Sequence, residues 1–541
     1  YKKKKNNNLY NAPQDFEDTH YSINIPSKDI QDYELLDSFA TFARMKNWLE
    51  RKQNINITKS TFCDIFKRDV FGDYSIELSN EKYDLAIRQA GDFMLYFSSQ
   101  ETGEIRKLVN ARDVWDQFVE GNYKTAEPGL IFWSTMSDYS PSNYVGKPII
   151  CTNPCAEVPL EDGGACNLGS LNLSRFVDEG YEAQAQINWD KLAESTAILV
   201  RLLDNVVTWN EDLNALEKQR MAARETRRLG LGIMGIADML NQLGISYDSK
   251  EGIDIITQVI EFITNAAYQA SASLAGEKGA SPIYSEDEYM ECPFIESALS
   301  METQTYIREN GIRNIAIMSI APTGSISNIV KGFQLEDKNY VGVSGGVEPI
   351  FALYYTRRTE SFKKNEFYKV FHSTVQAYID KMNLHEKVES AEKIEDALPD
   401  YFQRTAHHIN PDKRVSIQGK IQKYIDHSIS STINLPEDVQ PEVISDVYLK
   451  AWKEKLKGVT IYRDGSRFPI LSTEGDLTEF QKVKEKEFRI TIDRDQVITA
   501  NGEEIIKLPD GSLTTVYHHL KNSDLAIEEV LTQTKFEDIE I

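Results

Sequence analysis

The sequence predicts an α/β architecture built on one large sheet or barrel, followed by a small β-rich appendix, and three observations predict it. Strand-like and helix-like segments alternate over more than four hundred residues, as they do where helices join the strands of one sheet. The chain has 541 residues and 41% hydrophobic content, enough to bury a large core. Beyond 462–468 the texture changes to the period-two runs EFRITID, QVITANGEEIIKL and DGSLTTVYHHL, around Asn501-Gly502 and Asp510-Gly511, dipeptides that favour hairpin turns.

Taken in order, the opening KKKKNNNLYNAPQDFEDTH is polar and biased, so residues 1–20 are expected to form a disordered tail or linker. From Tyr33 to Arg51 the spacing of Leu35, Phe39, Phe42, Met45 and Leu49 predicts a helix, and NINITKS then alternates as a strand would. ARDVWDQFVEG reads as helix and PGLIFWS as a buried strand. A long helical region with apolar residues three and four apart lies between Trp189 and Arg228, and further helices are predicted at 252–277, 364–382 and 441–457. The main body therefore spans 21–467 and the appendix 484–541. There is no internal repeat.

Lys and Arg number 60 against 84 Asp and Glu, a net charge of −24, which argues against nucleic acid or a membrane surface as partner. A phosphorylated ligand must then be bound locally. No apolar run approaches the roughly 18 residues a membrane span needs, and the first residues lack the apolar stretch of a signal peptide, so a cytoplasmic location is the expectation. The five cysteines, Cys63, Cys151, Cys155, Cys166 and Cys292, are too few for a disulfide scaffold and favour a catalytic or redox role. The eight histidines give no HExxH and no zinc-finger spacing, so no metal site is expected.

TNPCAEVPL, 152–160, carries the chemistry. Asn153, Cys155 and Glu157 alternate, and in an extended segment they would project from one face as an amide, a thiol and a carboxylate side by side. Cys166 follows in GGACNLGSLNL. A lone cysteine is more often a small core residue, but four such groups together favour a reactive site. APTGSIS, 321–327, follows the strand-like NIAIMSI. Its main-chain N–H groups and hydroxyls suit phosphate oxygens, though a polar helix cap reads equally well. LGLGIMG, 229–235, matches G-x-G-x-x-G, yet a helical segment precedes it where a dinucleotide fingerprint needs a strand. Close helix packing at the glycines is expected instead.

TNPCAEVPL followed by GGACNLGSLNLSRFV resembles the active-site region of ribonucleotide reductase large chains, in the form of the class II, adenosylcobalamin-dependent branch. TRRLGLGIMGIADML, IAPTGSIS, VEPIFALYYTRRT, YIDHSISSTINLPEDV and AWKEKLKGVTIYRDGSR are similar to that family's segments in the same order, from about residue 40 to 467. The resemblance implies part of a ten-stranded α/β barrel with the catalytic cysteine on an inner loop. It also implies reduction of ribonucleotides to 2′-deoxyribonucleotides by a cysteine thiyl radical. Cys155 would carry the radical, Glu157 would act as base on the 3′ hydroxyl, Asn153 would hydrogen-bond the substrate, and Cys166 would be one of two reducing thiols. Thr152, Pro154 and Ala156 would line the substrate site, and Pro322, Thr323, Gly324, Ser325, Ile326 and Ser327 would hold its phosphates. The cofactor implied is adenosylcobalamin. The partners implied are a ribonucleotide, a thioredoxin- or glutaredoxin-type reductant and further copies of the assembled enzyme.

The pattern departs from the family in three places. Only about 150 residues precede Cys155, and no counterpart of the other redox thiol stands among them, so an N-terminal polypeptide is the expected partner of a split protein. No cysteine follows Cys292, where the family usually carries a reducing pair. Ala156 stands where glycine is commoner, which is tolerable unless the backbone there needs a positive φ. Two alternatives stay open: a class I large chain whose radical comes from a metal-containing partner subunit, for which Tyr354-Tyr355 is the pair to inspect, and a non-catalytic nucleotide-binding fragment.

Overall fold

The computed structural model describes residues 103–466 except 212, 362 and 363, and shorter stretches at 21–26, 33–39, 42–58, 60–68, 74–76, 85–89, 92–99, 487–493, 496–502, 504–508, 513–522 and 538–540. The expected tail at 1–20 and the Asp510-Gly511 turn lie outside them. Two units divide the chain, residues 1–120 and 121–541.

The first unit holds a five-stranded antiparallel sheet in the order Tyr33–Phe39, Tyr21–Pro26, Leu85–Gln89, Tyr74–Ile76, Lys67–Arg68. An aromatic core of Phe42, Phe62, Phe66 and Tyr74 packs with Met45, Leu49, Leu85 and Ile87. Here the expected helix at 33–51 is corrected. Residues 33–39 pair as a strand, and the α-helix covers only Phe42–Trp48, because partners across a sheet outweigh a helical spacing of apolar residues. Residues 54–58 of NINITKS are not a strand either. Asn54 turns left-handed at φ 56° to end the helical turn before it, and the hydroxyls of Thr58 and Thr61 bond each other locally.

In the second unit, five parallel segments lie edge to edge. Asn167–Asn172 pairs with Leu229–Met234, which meets 315–320 through Leu231 and Met318; Ile320 then meets Ile429, and Thr432–Leu435 pairs with Gly458–Arg463. Leu130–Ile131 closes the far edge antiparallel to Gly458-Val459. Each parallel neighbour is reached through a helical crossover, as parallel pairing requires. The first runs through Trp189–Asn210, capped by the Asn188 side chain on the Lys191 N–H at 3.0 Å, and through Glu217–Thr226, ended by left-handed Arg227. The second contains the 29-residue helix Lys250–Lys278, capped by Ser249 and stopped at Gly279.

The buried core joins Leu229, Leu231 and Ile233 to Val200, Leu203, Val207, Ile260 and Ile263 of these helices. Strand alternation puts Arg228, Gly230, Gly232 and Met234 on the other face. Leu229–Met234 is therefore a fully buried strand whose glycines face neighbouring strand segments and not a helix, and Gly235 caps the helix that follows. Gly232 is required because a Cβ there would stand 2.4 Å from the Ser319 main-chain oxygen of the next segment.

Other expectations change in detail. Of PGLIFWS only Leu130–Ile131 pairs, and a helix starts at Trp133. Residues 364–371 are a strand paired with Tyr354–Ser361, and the helix is Ser373–Lys381. That strand, KNEFYKVF, is rich in the aromatic and branched residues that suit a pleated surface. In the appendix, Glu487–Asp493 pairs with Gln496–Asn501 and with Asp538–Glu540, and Ile505–Lys507 pairs with Leu513–Thr515. Asn501-Gly502 therefore joins two separate pairs and does not turn a hairpin of its own. Among the described residues no helix is long and apolar enough to cross a membrane.

Candidate active site

Residues 153–158 form the tip of a hairpin whose arms, Ile149–Thr152 and Pro159–Glu161, pair antiparallel. The tip is a tight turn. Asn153 donates its N–H to the Val158 oxygen at 3.1 Å and accepts the Val158 N–H on Oδ1 at 3.0 Å, while the Ala156 N–H donates to the Asn153 oxygen at 3.0 Å. Ala156 sits at φ +63°, the condition under which a glycine would be favoured. The expectation of an extended trio on one face is thus corrected. Cys155 is exposed at the tip, Glu157 is 2% exposed, and Asn153 spends its carbonyl on holding the turn, leaving its Nδ2 for a ligand.

The loop is fastened to the parallel segments by one atom. The Glu157 main-chain oxygen accepts from the Ser319 hydroxyl at 2.9 Å and from the Ser428 N–H at 3.0 Å. Both donors sit within the parallel array, at the third and fourth segments, so Glu157 is drawn down onto it while Cys155 stays outward.

Cys166, half-buried, stands just before the first parallel segment, and its sulfur lies 2.9 Å from where a Cβ on Gly230 would be. A larger residue there would push the sulfur aside. Burial pushes the Cys166 thiol up to about 12, against the pull of the Arg228 guanidinium, while Asp426, Glu161 and Glu157 add to the rise. Burial and then the Glu157 carboxylate also raise the Cys155 thiol. Both sulfurs are therefore held as thiols, which suits hydrogen-atom and redox chemistry better than attack by a thiolate.

Beneath them Arg228, 2% exposed, donates from Nε and Nη2 to Glu161 Oε2 at 3.1 and 2.5 Å and from Nη2 to Ser142 Oγ at 3.0 Å. Thr226 Oγ1 donates to the other Glu161 oxygen at 2.9 Å.

At the far end of the third segment Thr323, at φ +53°, begins the second site loop. Its hydroxyl accepts the Gly346 N–H at 2.9 Å and its carbonyl accepts the Ser327 N–H at 2.9 Å. Gly324, Ser325 and Ile326 are exposed, and no protein acceptor among the described residues takes their N–H groups. A Cβ on Gly324 would meet nothing within 4 Å. Such a turn can bind an anion without a net positive surface. Pro322 is exposed beside it, and Ser327 is buried. The loop is backed by Gly345 and Gly346, where added Cβ atoms would fall 2.6 and 2.8 Å from the carbonyl oxygens of Pro322 and Ala321.

Thr152, half-buried, ends the first hairpin arm, and Pro154 is exposed next to Cys155. Tyr354 lies on the separate 354–371 hairpin with its ring 5.7 Å from that of Phe371, and Tyr355 is half-exposed. Cys292 is buried in the core of the second unit and Cys63 belongs to the first. Sequence reasoning missed Ser319, Ser428, the Arg228–Glu161 pair and Gly345-Gly346. Only the paired glycines and the paired arginines before LGLGIMG carried a signal.

Comparison with known proteins bears on this arrangement. The family model described as the barrel domain of ribonucleotide reductase matches residues 40–462. A vitamin B12-dependent ribonucleoside-diphosphate reductase of Thermoplasma acidophilum is 34% identical over 396 residues, 71% of this chain and 46% of that one. The protein of the same name from Mycobacterium tuberculosis is 32% identical over 374 residues, 68% of this chain and 49% of that one. A solved alpha subunit, the class Id ribonucleotide reductase of Actinobacillus ureae, aligns at 21% identity over 65% of this chain and 61% of that one, with a TM-score of 0.48. The chain spans about half the length of the curated relatives it matches.

Proposed function

Because this chain belongs to the ribonucleotide reductase family through its barrel domain, we propose that it carries the radical-forming half of the catalytic barrel and acts in reducing ribonucleotides to 2′-deoxyribonucleotides. The observation that carries the reading is the placement of one loop. It holds a thiol exposed at Cys155 and a carboxylate buried at Glu157, the latter fastened to the parallel segments by Ser319 and Ser428.

In this reading the Cys155 sulfur, as a radical, takes the 3′ hydrogen atom of the ribose. Glu157 takes the 3′ hydroxyl proton, and the 2′ hydroxyl leaves as water. Cys166 and a second thiol supply two electrons and two protons and end as a disulfide, and the hydrogen atom returns from Cys155 to the 3′ carbon. Thr323 to Ser327 hold the phosphates through the three uncommitted N–H groups, and Asn153 Nδ2 meets the sugar hydroxyls. The parallel segments expose an edge at Asn167–Asn172, where Leu168 is 47% exposed, and a complementary set of strands from an N-terminal polypeptide would pair there to complete ten strands.

The cofactor in this reading is adenosylcobalamin, as the names of the two curated relatives suggest. The exposed Pro154 and Cys155 at the loop tip fit a group that reaches the sulfur from outside the array. When bound, it supplies the one-electron chemistry that makes the sulfur a radical. A thioredoxin- or glutaredoxin-type protein would then reduce the disulfide.

The test is deoxyribonucleotide formation by this chain together with the N-terminal polypeptide, given adenosylcobalamin and dithiothreitol, beside Cys155→Ser. Product from the wild type and not from Cys155→Ser, with both melting alike, is the expected result. Product from Cys155→Ser at the wild-type rate would sink the reading.

A further inference from the structure

Four buried side chains around the loop have polar atoms without a hydrogen-bond partner among the described residues: Glu157 at Oε2, Arg228 at Nη1, Ser428 at Oγ and His427 at both ring nitrogens. None is more than 2% exposed. The main chain brings the backbones that carry them onto neighbouring segments. The Ser428 N–H donates to the Glu157 oxygen at 3.0 Å, the His427 N–H to the Met318 oxygen at 3.1 Å, and the Leu229 N–H to the Ala316 oxygen at 3.0 Å. Arg228 is close enough that its charge bears on both His427 and Cys166. The Ala316 carbonyl approaches the imidazole but outside hydrogen-bonding geometry.

Leaving each such group dry costs about 1–3 kcal/mol, a sum comparable with the whole stability of a domain. Buried polar groups that lack protein partners are met by ordered water. The set is also chemically complementary: a guanidinium only donates, a carboxylate only accepts, and a hydroxyl does both. His427 is buried, and burial first, then the charges of Arg228 and Lys457, hold it far below the usual imidazole range. It is neutral, so one ring nitrogen donates and the other accepts.

We infer that these side chains share a buried water cluster beneath the loop, and that His427 is a positioning residue which, through that water, fixes the Glu157 carboxylate at the reacting sugar. The role of His427 rests on the function proposed above; the water cluster does not.

The test uses this chain assembled with the N-terminal polypeptide as wild type, His427→Leu and His427→Gln, with crystal structures at a resolution that shows water and with steady-state kinetics. Ordered water within hydrogen-bond distance of Glu157 Oε2 and a His427 ring nitrogen is expected in the wild type and not in His427→Leu. That variant should lose about 10- to 100-fold in kcat at an unchanged KM, and His427→Gln, which can still donate and accept, should recover most of it. Wild-type density without water there, or with the four side chains paired directly, overturns the cluster. Equal losses in both variants, or a loss confined to KM or to Tm, overturn the role of His427. A wild type that makes no deoxyribonucleotide refutes the functional reading and that role with it, while the density still decides the cluster.

Discussion

Ser319 donates its hydroxyl hydrogen to the Glu157 main-chain oxygen at 2.9 Å, so a neighbouring strand segment, rather than the turn itself, sets how deeply the carboxylate sits. The same segment runs on within four residues to Thr323, which opens the turn proposed to hold an anion. One stretch of chain thus links the Cys155 loop to the Thr323 turn, a span of roughly 14 Å at full extension.

Ser319→Ala follows from that link. The oxygen keeps its bond from the Ser428 N–H, so stability should fall by only about 1 kcal/mol. Turnover should fall further, by about tenfold or more, because small displacements of a reacting group are expensive. Urea unfolding and kcat measured together check this; a variant that loses stability but keeps kcat would show that the anchor does not position Glu157.

Ala156 gives a second prediction. At φ +63° an L side chain is strained by about 1–2 kcal/mol, and a β-branched one by more. Ala156→Gly relieves the strain but frees the unfolded chain, worth about 0.5–1 kcal/mol in the other direction, so it should be neutral to mildly stabilising. Ala156→Val should cost about 2 kcal/mol. Thermal melts of the three proteins decide the matter, and a Val variant as stable as the wild type would contradict the left-handed turn.

Lys457 supplies a pH dependence. It is 2% exposed and donates to the carbonyls of Ile425 and Asp426 at 3.1 and 2.5 Å; burial pushes it down to about 8, against the pull of Asp426. In the unfolded chain it titrates near 10.4. Between about pH 8 and that value the unfolded chain holds the extra proton, so stability from this group rises with pH and is lost again as pH falls through 8. The difference in unfolding free energy between wild type and Lys457→Met, which cancels the buried thiols and tyrosines, should therefore climb by up to about 1.4 kcal/mol per pH unit over that window. A flat difference would mean that Lys457 stays charged in the folded protein.

Much of the site was legible because its chemistry is local in sequence: Asn153 to Glu157 and Thr323 to Ser327 are each one loop, and their residue types declare what they can do. The long helices at 189–210 and 250–278 were equally plain from their apolar spacing and start at clear caps. What the sequence concealed was set by contacts distant along the chain. Residues 33–39 and 364–371 carry apolar spacings that fit a helix, and only their strand partners make them sheet. Nothing near Arg228 in the sequence announces its partner Glu161, which lies 67 positions earlier. Nor could alternation place Asn153, Cys155 and Glu157, because the turn is closed by the Asn153 side chain itself.

The glycines of LGLGIMG give the last prediction, and here geometry separates two substitutions that look alike. A Cβ on Gly230 would fall 2.4 Å from Leu168 Cδ2 and 2.9 Å from the Cys166 sulfur. Leu168 is 47% exposed and can swing aside, and the thiol can rotate, so Gly230→Ala should fold with a loss of about 1–2 kcal/mol while displacing the sulfur. A Cβ on Gly232 would fall 2.4 Å from the Ser319 oxygen and 3.3 Å from the Ile320 Cα, both main chain of the adjoining segment. Nothing there can rotate away, so Gly232→Ala should cost about 3 kcal/mol or more and release the Ser319 anchor with it. Circular-dichroism melts separate the two in stability, and iodoacetamide labelling mapped by mass spectrometry reports the thiol. Cys166 should label faster in folded Gly230→Ala than in the wild type. If both variants melt alike, or Cys166 labels no faster, the close approach of that strand to the Cys166 thiol is wrong.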